Sequence, residues 1–283
     1  MALAFSRAVD GELRISQSLT VTCSLNQRAK QIAEWVEAHG LKQQTCHIVL
    51  SPDSYQLFQV EKPAVPPEEL RDVARWRVKD MLESSIDDVV VDCFDFPDDA
   101  LRGRPPQMTV VVARKDYLKP FVSLLHQHDV HISSIDITEL ALRNLLAPHL
   151  PESETRCVLL LLVEGGLIVL LKGAQVYLTR KLEKDRFYFG AGADIYAMGP
   201  SIALEIQRSF DYLESQLGQS PPRTIHIGSD QHEDELKAIL SNELGVEIQS
   251  MSELAVHNDK THAITAQEWV ACGAALRGRM GLA

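Results

Sequence analysis

The sequence has no apolar stretch of the length that a membrane span needs. Its longest aliphatic run, Val158 to Val163, covers six residues, whereas a spanning helix needs about 20. The first residues, MALAFSRAVDGEL, also lack the basic region and long apolar stretch of a secretory signal peptide. These absences predict a cytoplasmic protein that does not insert into a membrane directly and that a partner would have to recruit to one.

The chain is also short of positive charge. It has 28 Lys and Arg against 39 Asp and Glu, which gives a net charge of −11. Binding to nucleic acid or to an anionic lipid surface needs a basic field. We therefore expect no nucleic-acid partner.

Paired cysteines and catalytic signatures are missing as well. The five cysteines are odd in number and none stands in a CxxC pair, which disfavours a disulfide framework or a structural zinc site. No HExxH motif and no Ser-His-Asp order appears in the chain. We predict free thiols in a reducing compartment, no metal site and no catalytic residue.

What the chain does have is the composition of a globular protein: 283 residues, of which 45% are hydrophobic and 24% charged. A stretch with two prolines and several polar residues, 147–155, separates two halves. We predict one domain over 1–150, with an extra segment at about 52–112, and a second domain over 151–283.

Each half shows a pattern of strands and helices. Asp10 and Gly11 predict a hairpin turn between two N-terminal strands. In the second half, three strands precede a helix predicted over 201–217, and strand, helix, strand and helix follow. This is the order of the actin-like, ribonuclease H-like α/β fold, and the first half fits it only with an inserted strand–helix–strand–strand subdomain.

The most informative stretch reads YQLFQVEKPAVPPEELRDVARWRVKDMLESSIDDVVVDCFDF and covers 55–96. Its phrases VEKPAVPPEEL and RWRVKDM, with IDITELALRNLL further on, resemble the MshI family of MSHA pilus biogenesis proteins, relatives of the PilM component of type IV pilus machines. The resemblance implies the two-domain actin-like fold. The inserted subdomain that it implies is also present in PilM and in its relative FtsA.

The resemblance implies a function too: a non-enzymatic cytoplasmic scaffold of a type IV pilus assembly platform, recruited to the inner-membrane face. In PilM-like proteins a groove takes the cytoplasmic N-terminal tail of a PilN-like inner-membrane protein. It also implies contact with the assembly motor ATPase or with other copies of the chain. By analogy, the candidate partner-binding residues are Tyr55, Phe58, Arg71, Arg75, Trp76, Arg77 and Lys79.

The helix predicted from Pro67 to Leu82 places Arg77 among the apolar side chains of one face. Such an arginine either reaches solvent or an internal carboxylate, or it waits as an anchor for a partner peptide. Arg71, Arg75 and Lys79 follow one another at a spacing of four. They form either a solvated stripe or a basic ridge beside Trp76.

An actin-like ATPase whose nucleotide state controls platform assembly is the alternative, and it would need ATP with magnesium. Its phosphate hairpins would fall at Asp10 and at Glu164, Gly165 and Gly166, with Gly228 facing the adenosine. Only small residues let the backbone approach phosphate closely. None of these segments keeps the Asp-x-Gly pattern of such hairpins, so we predict that the chain has no cofactor.

Overall fold

The structure, a computed structural model, describes residues 1–9, 12–149, 151–163, 165–190, 192–254 and 264–277. The strands are β1 (Ala2–Val9), β2 (Glu12–Thr20), β3 (Cys46–Leu50), β4 (Tyr55–Glu61), β5 (Val89–Asp95), β6 (Gln107–Arg114), β7 (Ile132–Ile137), β8 (Thr155–Leu161), β9 (Gly166–Lys172), β10 (Gln175–Leu182), β11 (Thr224–Ser229) and β12 (Glu247–Ser250). The α-helices are α1 (Leu25–Ala38), α2 (Pro67–Val78), α3 (Lys115–Gln127), α4 (Thr138–Leu146), α5 (Ile195–Leu217), α6 (Glu233–Leu244) and α7 (Ala266–Ala275). The element order expected for the second half is confirmed.

The chain divides into two compact units. One combines Met1–Val21 with Thr138–Ala283, and the other is Thr22–Ile137. This division does not follow the predicted boundary near residue 150, because the β1–β2 hairpin and α4 both pack against α7. Compactness does not decide which residues form each actin-like domain, so the domain limits stay a prediction.

The first unit is built on a five-stranded sheet in the order β10-β9-β8-β11-β12. β8, β9 and β10 run antiparallel, and β8, β11 and β12 pair in parallel. The central strands β8 and β9 are buried along almost their whole length, as sheets covered on both faces require. Trp269 and Cys272 of α7 pack against Val158 and Leu160 of β8 in this core.

The second unit contains the predicted strand–helix–strand–strand segment. β4, β6 and β5 form a three-stranded antiparallel sheet with β6 in the middle. α2 lies on this sheet, and its buried Ala74 and Val78 share a core with Val89, Val110 and Val112. A separate parallel pair joins β3 to β7. The expected order of this insertion is confirmed.

Two helix limits differ from the predicted ones. α2 ends at Val78, and a 3₁₀ turn, Lys79–Met81, continues the chain to Leu82. α5 begins at Ile195 rather than near residue 201, because the Asp194 side chain accepts a hydrogen bond from the backbone of Ala197 and caps the helix. Pro200 is accommodated inside the first turns of that helix.

No helix in the part of the chain that the structure describes is both long and apolar enough to cross a membrane.

One histidine in the first unit is buried without hydrogen bonds. His226 on β11 is 2% exposed, and neither ring nitrogen has a partner among the described residues. Burial, and secondly the positive charge of Arg156, lowers the pKa of His226 to about 4, against an opposing effect of Glu253 and Glu247. The folded protein therefore keeps this ring neutral at pH values where an unfolded chain would protonate it.

We predict that this histidine makes the protein sensitive to mild acid. Between pH 6.5 and about 4, His226 is protonated in the unfolded state but stays neutral in the folded state. The free energy of unfolding therefore falls as the pH falls through this window. The difference between the pKa of His226 in the unfolded and in the folded state corresponds to about 3 kcal/mol of stability. Urea unfolding between pH 7.5 and 4.5 measures it: His226→Leu should flatten the slope, and His128→Leu, at an exposed position, should not. Equal slopes for His226→Leu and the unmodified protein would contradict this assignment.

Candidate functional site

The surface beside α2 and β5 holds most of the predicted partner-binding residues. α2 can approach the sheet closely because Ala74, with its small side chain, and Val78 are both fully buried there. β5 is an edge strand, since it pairs only with β6 within the described residues. The outer edge of β5 therefore presents backbone N–H and C=O groups that no described strand uses.

A groove with a volume of about 210 Å³ lies along this edge. We call it the α2–β5 groove. Val90, a large apolar residue of β5, is 46% exposed. The groove is lined by Arg71, Asp72, Arg75, Val89, Val90, Val91, Asp92 and Lys115.

The basic side chains of the groove are already engaged. Arg71 pairs with Asp92 at 3.3 Å. Arg75 donates to the Ile86 carbonyl at 2.8 Å and pairs with Asp87 at 3.0 Å. Arg71 and Arg75 are therefore neutralised by acids of the same unit. Lys79, the third residue of this spacing, is exposed and lies over the Trp76 ring, and the choice between a solvated stripe and a basic ridge stays a prediction.

Trp76 is the most exposed predicted anchor. Its side chain is 66% exposed, and the Lys79 ammonium lies 5.2 Å from the ring centroid, within the range of a cation–π contact. Arg77 is exposed as well, and so is Met81, which follows the end of the α-helix. The predicted apolar face is thus narrower than expected: it centres on Ala74 and Val78, and Arg77 and Met81 lie outside it.

Tyr55 and Phe58 lie on β4, away from the free edge of β5. Tyr55 is buried and pairs with Ala113 of β6. Phe58 is half-buried and packs against the core beneath α2. The two aromatic side chains support the sheet, so a partner that stays on the surface would not reach Tyr55. Their predicted role in partner binding stays a prediction.

A second surface depression, of about 380 Å³, lies in the same unit. Two of its charged residues, Arg114 and Asp116, form an ion pair. The hydrogen bond from Arg114 lowers the pKa of Asp116 below its usual range. The depression is lined by Asp53, Ser54, Arg114, Asp116 and Tyr117, a set with no arrangement of nucleophile and base.

Four of the five thiols have a raised pKa, and the described residues hold no cluster of metal-binding side chains. Burial raises the pKa of Cys46, Cys93 and Cys157, and raises that of Cys272 to about 12. These thiols are therefore protonated and unreactive near neutral pH. No group of three His, Cys, Asp or Glu side chains within the described ranges could hold a metal ion.

The residues of the nucleotide alternative are only partly described, because Asp10 and Glu164 lie outside the described residues. Gly165 is buried, and its N–H donates to the Phe187 carbonyl at 2.8 Å. Gly166 is the first residue of β9 and is paired on both sides, with Leu161 and Leu182. The backbone that would have to face a phosphate is thus engaged inside the sheet and its neighbouring loop.

Gly228 is likewise buried, on β11, opposite Leu160 of β8. A Cβ atom added to it would lie 2.7 Å from the Met251 sulfur and 3.4 Å from the Trp269 ring. The absence of a side chain at Gly228 therefore makes room for Met251 and Trp269 of the core. At Gly165, Gly166 and Gly228, the neighbouring groups are therefore the protein's own backbone and side chains.

Comparison with known proteins identifies the class of fold. No protein-family model matches the chain, and no curated protein matches its sequence. Among solved structures, a Bacteroides thetaiotaomicron protein described as having an actin-like ATPase fold covers 96% of this chain and 96% of its own, with 10% identity and a TM-score of 0.54. The chain has the actin-like fold, as the sequence predicted.

Two further structures are similar along nearly the whole chain. One is described as the PilM–PilN type IV pilus biogenesis complex, with 20% identity, a TM-score of 0.77 and coverage of 98% of this chain and 95% of the other. The other is the cytoplasmic domain of EpsL, an inner-membrane component of the type II secretion system of Vibrio cholerae. It has 10% identity, a TM-score of 0.50 and coverage of 97% and 94%.

The groove was only half found from the sequence. Arg71 and Arg75 are predicted binding residues that line the groove, whereas no sequence pattern pointed to Val90, Asp92 and Lys115, which line it as well. The run of valines in β5 indicated a strand, yet nothing in it indicates an edge strand, because strand order depends on distant pairings. The predicted residues of β4, Tyr55 and Phe58, lie on the opposite edge strand of the same sheet.

We predict that replacing Gly165 lowers the free energy of unfolding even when no ligand is present. It has a φ of +82°, and an added Cβ would overlap the Leu182 carbonyl oxygen. Gly165→Ala should therefore cost at least about 2 kcal/mol, from positive φ and overlap together. Gly103→Ala is the matched control, because Gly103 has a φ of +80° and open space around it; it should cost only about 1 kcal/mol. Equal losses in urea unfolding would show that the close contact is unimportant.

We also predict that millimolar Mg-ATP leaves the melting temperature unchanged. A ligand at about 100 times its Kd would stabilise the folded state by roughly 2.7 kcal/mol, which a thermal melt detects easily. Mg-ADP and magnesium alone serve as controls. A magnesium-dependent upward shift would contradict the engaged arrangement of Gly165, Gly166 and Gly228.

Proposed function

We propose that this chain is a cytoplasmic, non-enzymatic, actin-like scaffold of a type IV pilus assembly platform of the MSHA type. It binds the cytoplasmic N-terminal tail of a PilN-like inner-membrane protein, and this contact recruits it to the inner-membrane face. It works without a nucleotide cofactor. Contact with the assembly motor ATPase stays a prediction with no surface assigned to it.

The α2–β5 groove is the observation that carries the proposal. It combines charged side chains with a strand edge that no described strand pairs with. The exposed Trp76 follows directly after Arg75, a lining residue of the groove, on α2. An extended peptide can add to such an edge through main-chain hydrogen bonds, while pockets beside the edge select its side chains. The similarity to a PilM–PilN complex over 98% of the chain supports the same kind of partner.

The ion pairs of the groove differ in how easily a charged peptide could displace one of their members. The Arg71–Asp92 pair is exposed on both sides, and exposed ion pairs contribute only about 0–1 kcal/mol. A tail with its own charges could therefore replace one member of the pair at little cost. Arg75 is more tightly held, because it also binds the Ile86 carbonyl. We assign Arg75 to shaping the groove and Trp76 to contact with the tail.

We predict that Trp76 dominates the affinity for the tail. A synthetic peptide of the PilN-like protein's cytoplasmic tail, titrated calorimetrically, should bind at least about tenfold more weakly to Trp76→Ala, as truncation of an interface anchor costs about 2 kcal/mol. Arg71→Ala should weaken binding by a smaller factor. Lys42→Ala is the matched control, because the Lys42–Glu37 pair is an exposed ion pair of the same unit; it should bind normally.

The strand edge is tested by the same titration with an altered peptide. A tail N-methylated on alternate residues keeps its side chains but loses main-chain donors, so it should bind much more weakly if it adds to β5. Two such peptides are needed, one methylated on the odd-numbered and one on the even-numbered residues. Full affinity of both peptides would exclude strand addition. Equal affinity of Trp76→Ala, Arg71→Ala and Lys42→Ala would place the tail elsewhere.

A further inference from the structure

The outward side of α5 carries an unusual set of exposed side chains. Leu204, Arg208 and Tyr212 follow one another at a spacing of four, so they form one row on the helix surface. Tyr196, two turns before Leu204 on the same helix, is 74% exposed. We call these four residues the α5 ridge. Its three large apolar residues are all exposed, which exceeds the scatter of single apolar residues expected on a surface.

Beside the α5 ridge, three arginines share one carboxylate. Glu205, which is 6% exposed, accepts hydrogen bonds from Arg180 at 3.2 Å, Arg186 at 3.5 Å and Arg208 at 3.0 Å. One carboxylate balances one guanidinium, so two positive charges remain uncompensated within this cluster. This contrasts with the α2–β5 groove, where Arg71 and Arg75 each have their own acid.

The cluster is held in place by the fold. Arg180 donates through Nε to Ser209 Oγ at 2.9 Å, and that hydroxyl donates to the Glu205 carbonyl at 2.7 Å. The guanidinium of Arg186 lies 5.1 Å from the ring centroid of buried Phe187. Arg186 and Arg208 nevertheless remain more than half exposed. Their positions are fixed before any partner arrives, which reduces the entropy lost on binding.

We propose that the α5 ridge and its arginine cluster bind an acidic segment of a partner protein. The segment's carboxylates would meet Arg186 and Arg208, and its apolar side chains would cover Leu204 and Tyr212. Two observations favour this occupant: the uncompensated positive charge, in a chain whose net charge is −11, and the tyrosine and arginine composition that is typical of interface anchors. The neighbouring Asp211 is engaged with Gln207 at 2.8 Å and does not pair with the cluster.

The proposal is independent of the tail-binding function, and defined peptides test it. The probe is a fluorescein-labelled peptide of about 16 residues with leucine and glutamate at helical spacing, measured by anisotropy against the whole chain. A peptide with lysine in place of glutamate is the counter-probe. We expect the glutamate peptide to bind at least about tenfold more tightly, and its affinity to fall as salt is raised. Equal affinity for both peptides would overturn the proposal.

Variants then locate the binding. Arg208→Glu should reduce the affinity for the glutamate peptide by about tenfold or more, whereas Arg104→Glu makes the same charge change at an exposed loop position of the other unit and should leave it intact. The double change Leu204→Ala and Tyr212→Ala removes apolar contact without touching the ion cluster. It should also weaken binding, while melting at the normal temperature. Normal peptide binding by both ridge variants would overturn the proposal.

A second copy of the chain is the competing occupant. Sedimentation from 5 to 200 µM separates the two cases, with concentrations chosen to span weak association. A monomer throughout, together with peptide binding, supports the proposal. Self-association that Arg208→Glu abolishes would overturn it and assign the surface to contacts between copies.

Discussion

The close packing of α2 on its three-stranded sheet is the constraint on which the candidate site depends. Ala74 and Val78 are fully buried against the sheet, and their small or compact side chains let the helix lie close to β5. This closeness brings Arg71 and Arg75 within reach of Asp92 and of the Ile86 carbonyl. A bulkier residue at position 74 would lift the helix and separate both sides of the groove, because cores tolerate added volume poorly.

Two glycines of the first unit allow close approach of the protein's own groups. Close backbone approach is the reason for glycine at a phosphate hairpin. At Gly165 and Gly228 the same freedom serves approach by the protein itself, by the Leu182 carbonyl and the Met251 sulfur. The segment after β10 returns to this place, and Phe189 donates to the Val163 carbonyl at 2.9 Å. Its backbone also accepts the hydrogen bond of Gly165 N–H, at the Phe187 carbonyl.

The sequence predicted element types and their order well, because those depend on local patterns. Alternation in β4, the prolines before α2 and the glycine after α5 each act within a few residues. Three features depended on distant contacts and could not be predicted in this way. These are the edge position of β5, the packing of β1 and β2 against α7, and the burial of Gly228. Arg77 is exposed, which agrees with an arginine that reaches solvent, because the width of the buried face of α2 is set by the sheet beneath.

Arginine has two different roles in this protein, and the number of nearby acids decides between them. Arg71 and Arg75 each meet a separate aspartate, so each has an acidic partner, and the groove offers a partner its strand edge. Arg180, Arg186 and Arg208 compete for one buried glutamate, so that cluster still favours an additional carboxylate. Glu205 cannot be removed without leaving three guanidinium groups facing one another. It therefore holds the positive charges together while leaving them incompletely neutralised.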